Sequence, residues 1–204
     1  MSHKFFDLTF TESVKRAQEQ YGSRRNFVRF EGGEPDFYGL TDAEADFIER
    51  MDGFYLATVG TNLQPYIQFR GGAAGFLKVL DDKTLGYADF RGNLQYISVG
   101  NLAANDKAAL FLMDYANLQR LKILARIEIK DAKDAPELIE KLAVTDYKAK
   151  IERAVIIHVE AFDWNCPQHI APKFTLEQIK QINAPLYDHI EKLEKEITEL
   201  KKVR

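Results

Sequence analysis

From residue 54 to residue 90 the apolar side chains recur with a period of two, and the breaks between runs are only a few residues long. "FYLATVG" (54–60), "PYIQFRG" (65–71), "GFLKVL" (75–80) and "TLGYADF" (84–90) are rich in β-branched and aromatic residues. "TNLQ" and "DDK" between them read as hairpin turns. Connections this short favour antiparallel pairing, because a parallel pair needs a crossover of a dozen or more residues. "AALFLMDY" (108–115), "LKILARIEI" (121–129) and "RAVIIHVEAF" (153–162) continue the pattern. Six or seven such strands with few long helices between them predict a closed or nearly closed barrel, mainly β with flanking helices.

The flanks have the helical period. Residues 10–21 form a short amphipathic stretch that ends at Gly22. "TDAEADFIERMDG" is a helix with Thr41 as cap, Glu44 in the capping box and Gly53 as stop. Residues 134–142 are a further helical stretch between two strands. From Thr175 the chain is helical again, with a break expected at Pro185. Beyond it Leu186, Ile190, Leu193, Ile197 and Leu200 are spaced four, three, four and three apart, a coiled-coil-like seam about two heptads long. A helix of that length is marginal alone, so it packs on its own domain or on a second chain.

Several function classes fall away on composition. The net charge is −3, which leaves no basic footprint for nucleic acid. The single cysteine, Cys166, excludes an internal disulfide framework and fits a reducing compartment. The four histidines, His3, His158, His169 and His189, lie far apart without metal-ligand spacing. His158 reads as a satisfied barrel residue and Cys166 as a small buried one. The N-terminal run lacks a secretory pattern, and no stretch reaches the length of a membrane span, so the expected location is the cytoplasm.

The chemistry concentrates at strand ends. "YADF" runs into Arg91-Gly92-Asn93, and Asn93 is a good cap for a helix over 94–104. A helix start offers unpaired N–H groups and the positive end of a dipole, and an added arginine suits it to phosphate. Arg70 closes another strand just before the small residues "GGAAG". Antiparallel pairing would let Arg70, Lys78 and Arg91 converge on one dianion. The bland alternative is that Arg-Gly-Asn is an ordinary surface turn. No catalytic triad, P-loop or dinucleotide fingerprint competes with either reading.

The run from Phe54 to Tyr115 resembles the pyridoxamine 5'-phosphate oxidase-like, FMN-binding split-barrel family. The shared pattern is the "FYLATVG–QPYI" hairpin, an Arg-Gly-Gly strand end, "FLKVLD", a strand entering Arg91-Gly92-Asn93, and a helix followed by "NDKAALFL". "DWNCPQHIAPKFT" (163–175) resembles the C-terminal signature of a branch of flavin-nucleotide-binding proteins. The likeness covers about residues 41–175, leaving an N-terminal extension (1–40) and a C-terminal helical extension (176–204) that packs on the dimer.

That resemblance implies a six-stranded antiparallel Greek-key barrel, a homodimer, and FMN in clefts between subunits. Carried over by position, Gln68, Phe69 and Arg70 line the flavin. Tyr87, Ala88 and Asp89 run along its ring and ribityl chain. Arg91, Asn93 and Gln95 take the phosphate end. Lys78 joins the cofactor set. Arg120 and Lys122 reach the partner subunit's flavin, and Trp164 approaches the ring. One departure stands out: His169 has no arginine two residues before it, so the arginine-histidine substrate motif of true pyridoxamine 5'-phosphate oxidases is missing. The expected function is an FMN-dependent oxidoreductase acting on a small redox substrate. A flavin carrier or sensor without turnover, and a non-catalytic dimeric interaction module, are the alternatives.

Overall fold

A computed structural model describes residues 4–31, 37–145, 147–164 and 166–202. His3 lies outside them. The chain divides into two units, residues 1–114 with 119–166, and residues 115–118 with 167–204.

The first unit opens with α1 (Lys4–Thr9), α2 (Glu12–Gln20), α3 (Arg24–Phe27) and a 3-10 turn (Val28–Phe30). Thr11 caps α2, accepting the Val14 N–H. Next comes α4 (Asp42–Glu49), and then β1 (Gly53–Val59), β2 (Pro65–Gly71), β3 (Lys78–Asp81) and β4 (Thr84–Phe90). After α5 (Ile97–Ala104) follow β5 (Lys107–Asp114), β6 (Gln119–Asp131), α6 (Pro136–Leu142) and β7 (Ile151–Trp164).

Seven strands form one antiparallel sheet among the described residues, in the order β2-β1-β5-β6-β7-β4-β3. The six-stranded barrel that the resemblance implies is therefore corrected on two points: there are seven strands, and the sheet does not close, because β2 and β3 are unpaired edges. The reason is where the intervening backbone spends its hydrogen bonds. Gly72 N–H donates to Asp52 O, Gly75 N–H to Met51 O and Phe76 N–H to Ala73 O. That segment is tied to the start of β1 and to its own turn, so no ladder runs from β2 to β3.

The sheet still curls until its two ends face each other. Phe54 on β1 meets Tyr87 on β4 with ring centroids 5.6 Å apart, and Phe76 stacks on Phe54 at 5.8 Å. Inside the curl the period of two does its work. Leu112 sits opposite Leu121, Leu110 opposite Ile123, and Ile127 opposite Ile157, all buried. Each such side chain contributes about 1.5–3 kcal/mol by leaving water. His158 falls between Ile157 and Val159 and so points outward, half-exposed and 3.7 Å from Glu128. The expectation of a satisfied barrel histidine is thus corrected by the pleat. Cys166 is exposed, not buried.

Helix α4 shows the expected capping box. Glu44 is buried, and besides accepting from the Thr41 N–H at 3.0 Å it accepts from the Trp164 indole at 2.7 Å. Burial alone would push its carboxyl up. Hydrogen bonds from the Thr41 hydroxyl, the Trp164 indole and the Thr41 amide outweigh that and hold it below the usual carboxylate range. The folded state therefore binds this proton less readily than the unfolded chain. Its stabilisation is present above about pH 4.3 and is lost as pH falls through the lowered folded value. Denaturant midpoints between pH 3 and 6 are expected to drop more steeply for the native chain than for Glu44→Gln. Equal slopes would show that Glu44 does not carry the acid sensitivity.

In the second unit α7 (Leu176–Lys202) is one helix of 27 residues, and Pro185 does not break it. Proline removes one amide and frees the carbonyl four residues earlier. That residue, Gln181, is exposed, so water can satisfy it. Thr175 and Gln178 form a reciprocal cap, with Thr175 N–H donating to Gln178 Oε1 at 2.8 Å and Gln178 N–H to Thr175 Oγ1 at 3.1 Å. Among the described residues no helix is long and apolar enough to cross a membrane.

Candidate functional site

Strand β2 splits its residues by the pleat. Tyr66, Gln68 and Arg70 share one face, and Ile67 and Phe69 the other. The Phe69 ring covers the outer side of the sheet, lying against Tyr55 and over Gly53 and Gly71, where any Cβ would collide with it. The inner set meets β4 and α5 around a cleft open to solvent. Gln68, Arg70, Asp89, Asn93 and Gln95 line it, together with Tyr96, Ser98 and Arg153, which the sequence reading did not single out.

An alternating charge network organises this cleft. Asp89 is buried and accepts from Arg70 Nη1 at 3.2 Å and from Arg153 Nε at 2.9 Å. Arg153 also reaches Glu152 at 3.1 Å, and Glu152 accepts from Arg91 Nε at 2.9 Å and from the Tyr96 hydroxyl at 3.3 Å. The Arg153 guanidinium lies over the Tyr96 ring, 5.0 Å from its centroid. Three arginines against two carboxylates leave one positive charge in excess. Burial would lower the Arg153 pKa, but its hydrogen bond and attraction to Asp89 raise it, so the cation is secured. Glu152 is held low: desolvation pushes it up, and Arg153, Tyr96 and Arg91 together outweigh that.

Arg70 has a donor to spare. Its Nε–H is buried and has no hydrogen-bond partner among the described residues. A buried unpaired donor is costly, about 1–3 kcal/mol, and a donor of a cation more. The backbone beside it is similarly prepared. Asn93 does not cap a helix; its Oδ1 accepts the Gln95 N–H at 3.2 Å, closing a local turn. Helix α5 starts later than expected, at Ile97, after Leu94 and Tyr96 have taken left-handed backbone with φ of 63° and 51°. Each such residue costs about 1–2 kcal/mol. The N-cap position, Tyr96, supplies no side-chain hydrogen bond to the helix. The first-turn residues Ile97, Ser98 and Val99 line the cleft with their end of the helix dipole. Ser98 donates to Gln68 at 3.3 Å and Asn101 to Thr58 at 3.1 Å, which fastens α5 to β2 and β1.

Other expected residues lie elsewhere. Arg70, Lys78 and Arg91 do not converge: the Lys78 ammonium donates to the carbonyls of Lys141 and Ala143 at the end of α6, at 2.8 and 3.0 Å. Arg91 is half-exposed on Glu152. Tyr87 is buried in the core, where desolvation pushes its phenol well up, and Ala88 is buried against Leu142 and Ala154. Arg120, Lys122 and Trp164 do not line the cleft. Arg120 Nη2 donates to Cys166 O at 2.9 Å while its buried Nε–H lacks a partner among the described residues. Lys122 pairs with Asp163 at 2.8 Å and lies over the Phe5 ring, and Trp164 packs on Phe47.

A family model described as pyridoxamine 5'-phosphate oxidase matches residues 40–180. The chain belongs to the pyridoxamine 5'-phosphate oxidase family. No curated protein matches it. Among solved structures it is similar to a pyridoxamine 5'-phosphate oxidase candidate of Lactobacillus delbrueckii, at 22% identity over 63% of this chain and 96% of that one, TM-score 0.49. It is similar to the HupZ protein of Group A Streptococcus, at 21% identity over 66% and 99%, TM-score 0.47. It is also similar to an FMN-binding protein of Syntrophomonas wolfei, at 13% identity over 72% and 97%, TM-score 0.46. Arg153 and Glu152 were missed because they open β7, and only its register places Arg153 opposite Asp89.

Proposed function

We propose that the chain binds FMN in this cleft and is an FMN-dependent oxidoreductase acting on a small molecule. The observation that carries the reading is the buried, unpartnered Arg70 Nε–H beside an uncapped helix start. Both suit a phosphate dianion: the Arg70 Nε–H has no partner among the described residues, and the helix start has no side-chain cap. Bound FMN would supply two-electron chemistry at its isoalloxazine ring. The chain's own part is to hold and orient. Arg70 and the amides at the start of α5 take the phosphate, and Asp89 fixes Arg70 and Arg153 at the cleft. Gln68 and Tyr66 line its strand side. The functional form is a homodimer in which Arg120 and Lys122 reach the partner subunit's flavin. The location is the cytoplasm.

The purified protein is expected to be yellow, with FMN and not FAD released on denaturation, identified by mass. A colourless protein that fails to take up added FMN would overturn the reading. Bleaching by NADH or NADPH followed by turnover-linked reoxidation separates an enzyme from a carrier.

Arg91→Ala is expected to weaken FMN about tenfold, the low end for a charge-assisted contact, because Arg91 is half-exposed and already shared with Glu152. Fluorescence titration measures it, and an unchanged affinity would remove Arg91 from the site. Pyridoxamine 5'-phosphate is expected to be a poor substrate, since Pro167 stands two residues before His169 where the motif has its arginine, and His169 is exposed with φ of 64°. Steady oxidase turnover of that compound would contradict this.

A further inference from the structure

The continuity of α7 through Pro185 changes what its apolar stripe is. Counted from the capped start, Leu176, Ile179, Asn183, Leu186, Ile190, Leu193, Ile197 and Leu200 follow the three-four spacing without a fault. In heptad terms Leu176, Asn183, Ile190 and Ile197 occupy a, and Ile179, Leu186, Leu193 and Leu200 occupy d. The seam is more than three heptads long, about 36 Å at 1.5 Å per residue. No residue of α7 is buried, and Leu176, Ile182, Leu186 and Leu200 are more than half exposed. Pro185 falls at c, away from the seam.

We infer that α7 pairs with α7 of a second copy of the chain in a parallel, in-register, two-stranded coiled coil. Three features select this occupant. Ile at a with Leu at d through the central and C-terminal turns is the packing choice of parallel dimers. The single polar a residue, Asn183, meets its own copy only when the helices are parallel and in register; in the antiparallel arrangement of fullest overlap it would face Leu193. The flanking positions are complementary in the same arrangement. A g residue faces the partner's e residue five positions on, which sets Glu196 against the partner's Lys201, His189 against the partner's Glu194, and the apolar Ile182 against the partner's Tyr187. The outer face carries Glu177–Lys180 and Glu191–Lys195 pairs, which stay within one helix. This inference does not rest on the flavin reading.

The test uses the full chain with Cys166→Ser, so that each added cysteine is alone. Ile179→Cys and Ile197→Cys are made separately, oxidised gently and read on non-reducing gels. Each variant alone is expected to cross-link nearly completely, because in register each position meets itself. If neither links alone but a mixture of the two does, the helices are antiparallel and the inference is wrong. If no links form in any sample, the seam is covered by something other than α7 of a second chain, and the inference is wrong again. The flavin spectrum of the same samples is scored separately, so loss of colour with links intact leaves this inference standing.

Discussion

Asp89→Ala is expected to destabilise the sheet unit by about 3–5 kcal/mol, the cost of breaking a buried ion pair from one side. Asp89 is buried between two guanidiniums, with Arg70 at 3.2 Å and Arg153 at 2.8 Å. Removing it leaves two cations with little water, of which only Arg153 reaches the remaining carboxylate, Glu152, already shared with Arg91. The effect is structural in a second way. Arg70 belongs to β2 and Asp89 to β4, so this contact bridges the ends of the curled sheet where no ladder does. At about 2–4 °C per kcal/mol for a chain of this size, the melting temperature is expected to fall by roughly 10 °C. Asp89→Asn should lose most of that too, since it keeps the shape but not the charge. Calorimetry on the two variants decides it. A fall of a degree or two would mean that water reaches the arginines and that the network is a surface feature.

Arg70→Met is expected to cost the fold less than Asp89→Ala does, while weakening FMN about 10- to 100-fold. Asp89 keeps Arg153 as partner, so no carboxylate is stranded. The methionine fills the volume of the arginine stem. What disappears is the buried donor that has no partner among the described residues, together with its charge. A charge-assisted hydrogen bond is worth about 1.5–3 kcal/mol, which is that range of affinity. Riboflavin has no phosphate and should lose less than threefold. Titrating both flavins against both proteins by fluorescence quenching gives four numbers. Equal losses for the two flavins would remove the phosphate from Arg70 and reverse the cofactor's direction in the cleft.

Most of the fold is legible in the sequence because its signals are local. The alternation in "FYLATVG" and "PYIQFRG", the short turns and the Thr41–Glu44 box each depend on residues a few positions apart, and each is found in place. The open seam is not legible, because it depends on where Gly72 and Gly75 send their amides. Pro185 misled for a related reason: its cost is set by the exposure of Gln181, which the sequence does not state. In the site the division is similar. Gln68, Arg70, Asp89, Asn93 and Gln95 follow from the family pattern and line one cleft. Arg153 does not, because its place opposite Asp89 is a matter of register between strands 64 residues apart. Phe69 lies on the wrong face for that cleft by the pleat alone, which counting residues along β2 would have shown.

The unpaired edges carry a consequence for how the protein behaves in a crowded solution. A free strand edge is a template on which another chain's strand can grow, and an open seven-stranded sheet offers two. Both are blunted here. Strand β3 is four residues long, its pairing with β4 slips between Val79 and Asp81, and its first residue is a lysine whose ammonium is clamped on the carbonyls at the end of α6. Strand β2 begins at Pro65, which lacks an amide to offer, and carries Arg70 one residue before its end, its charge engaged across the gap with Asp89. The same arginine that leaves a donor for a ligand thus also helps to stop runaway strand addition, so sheet-to-sheet polymerisation is disfavoured without closing the cleft.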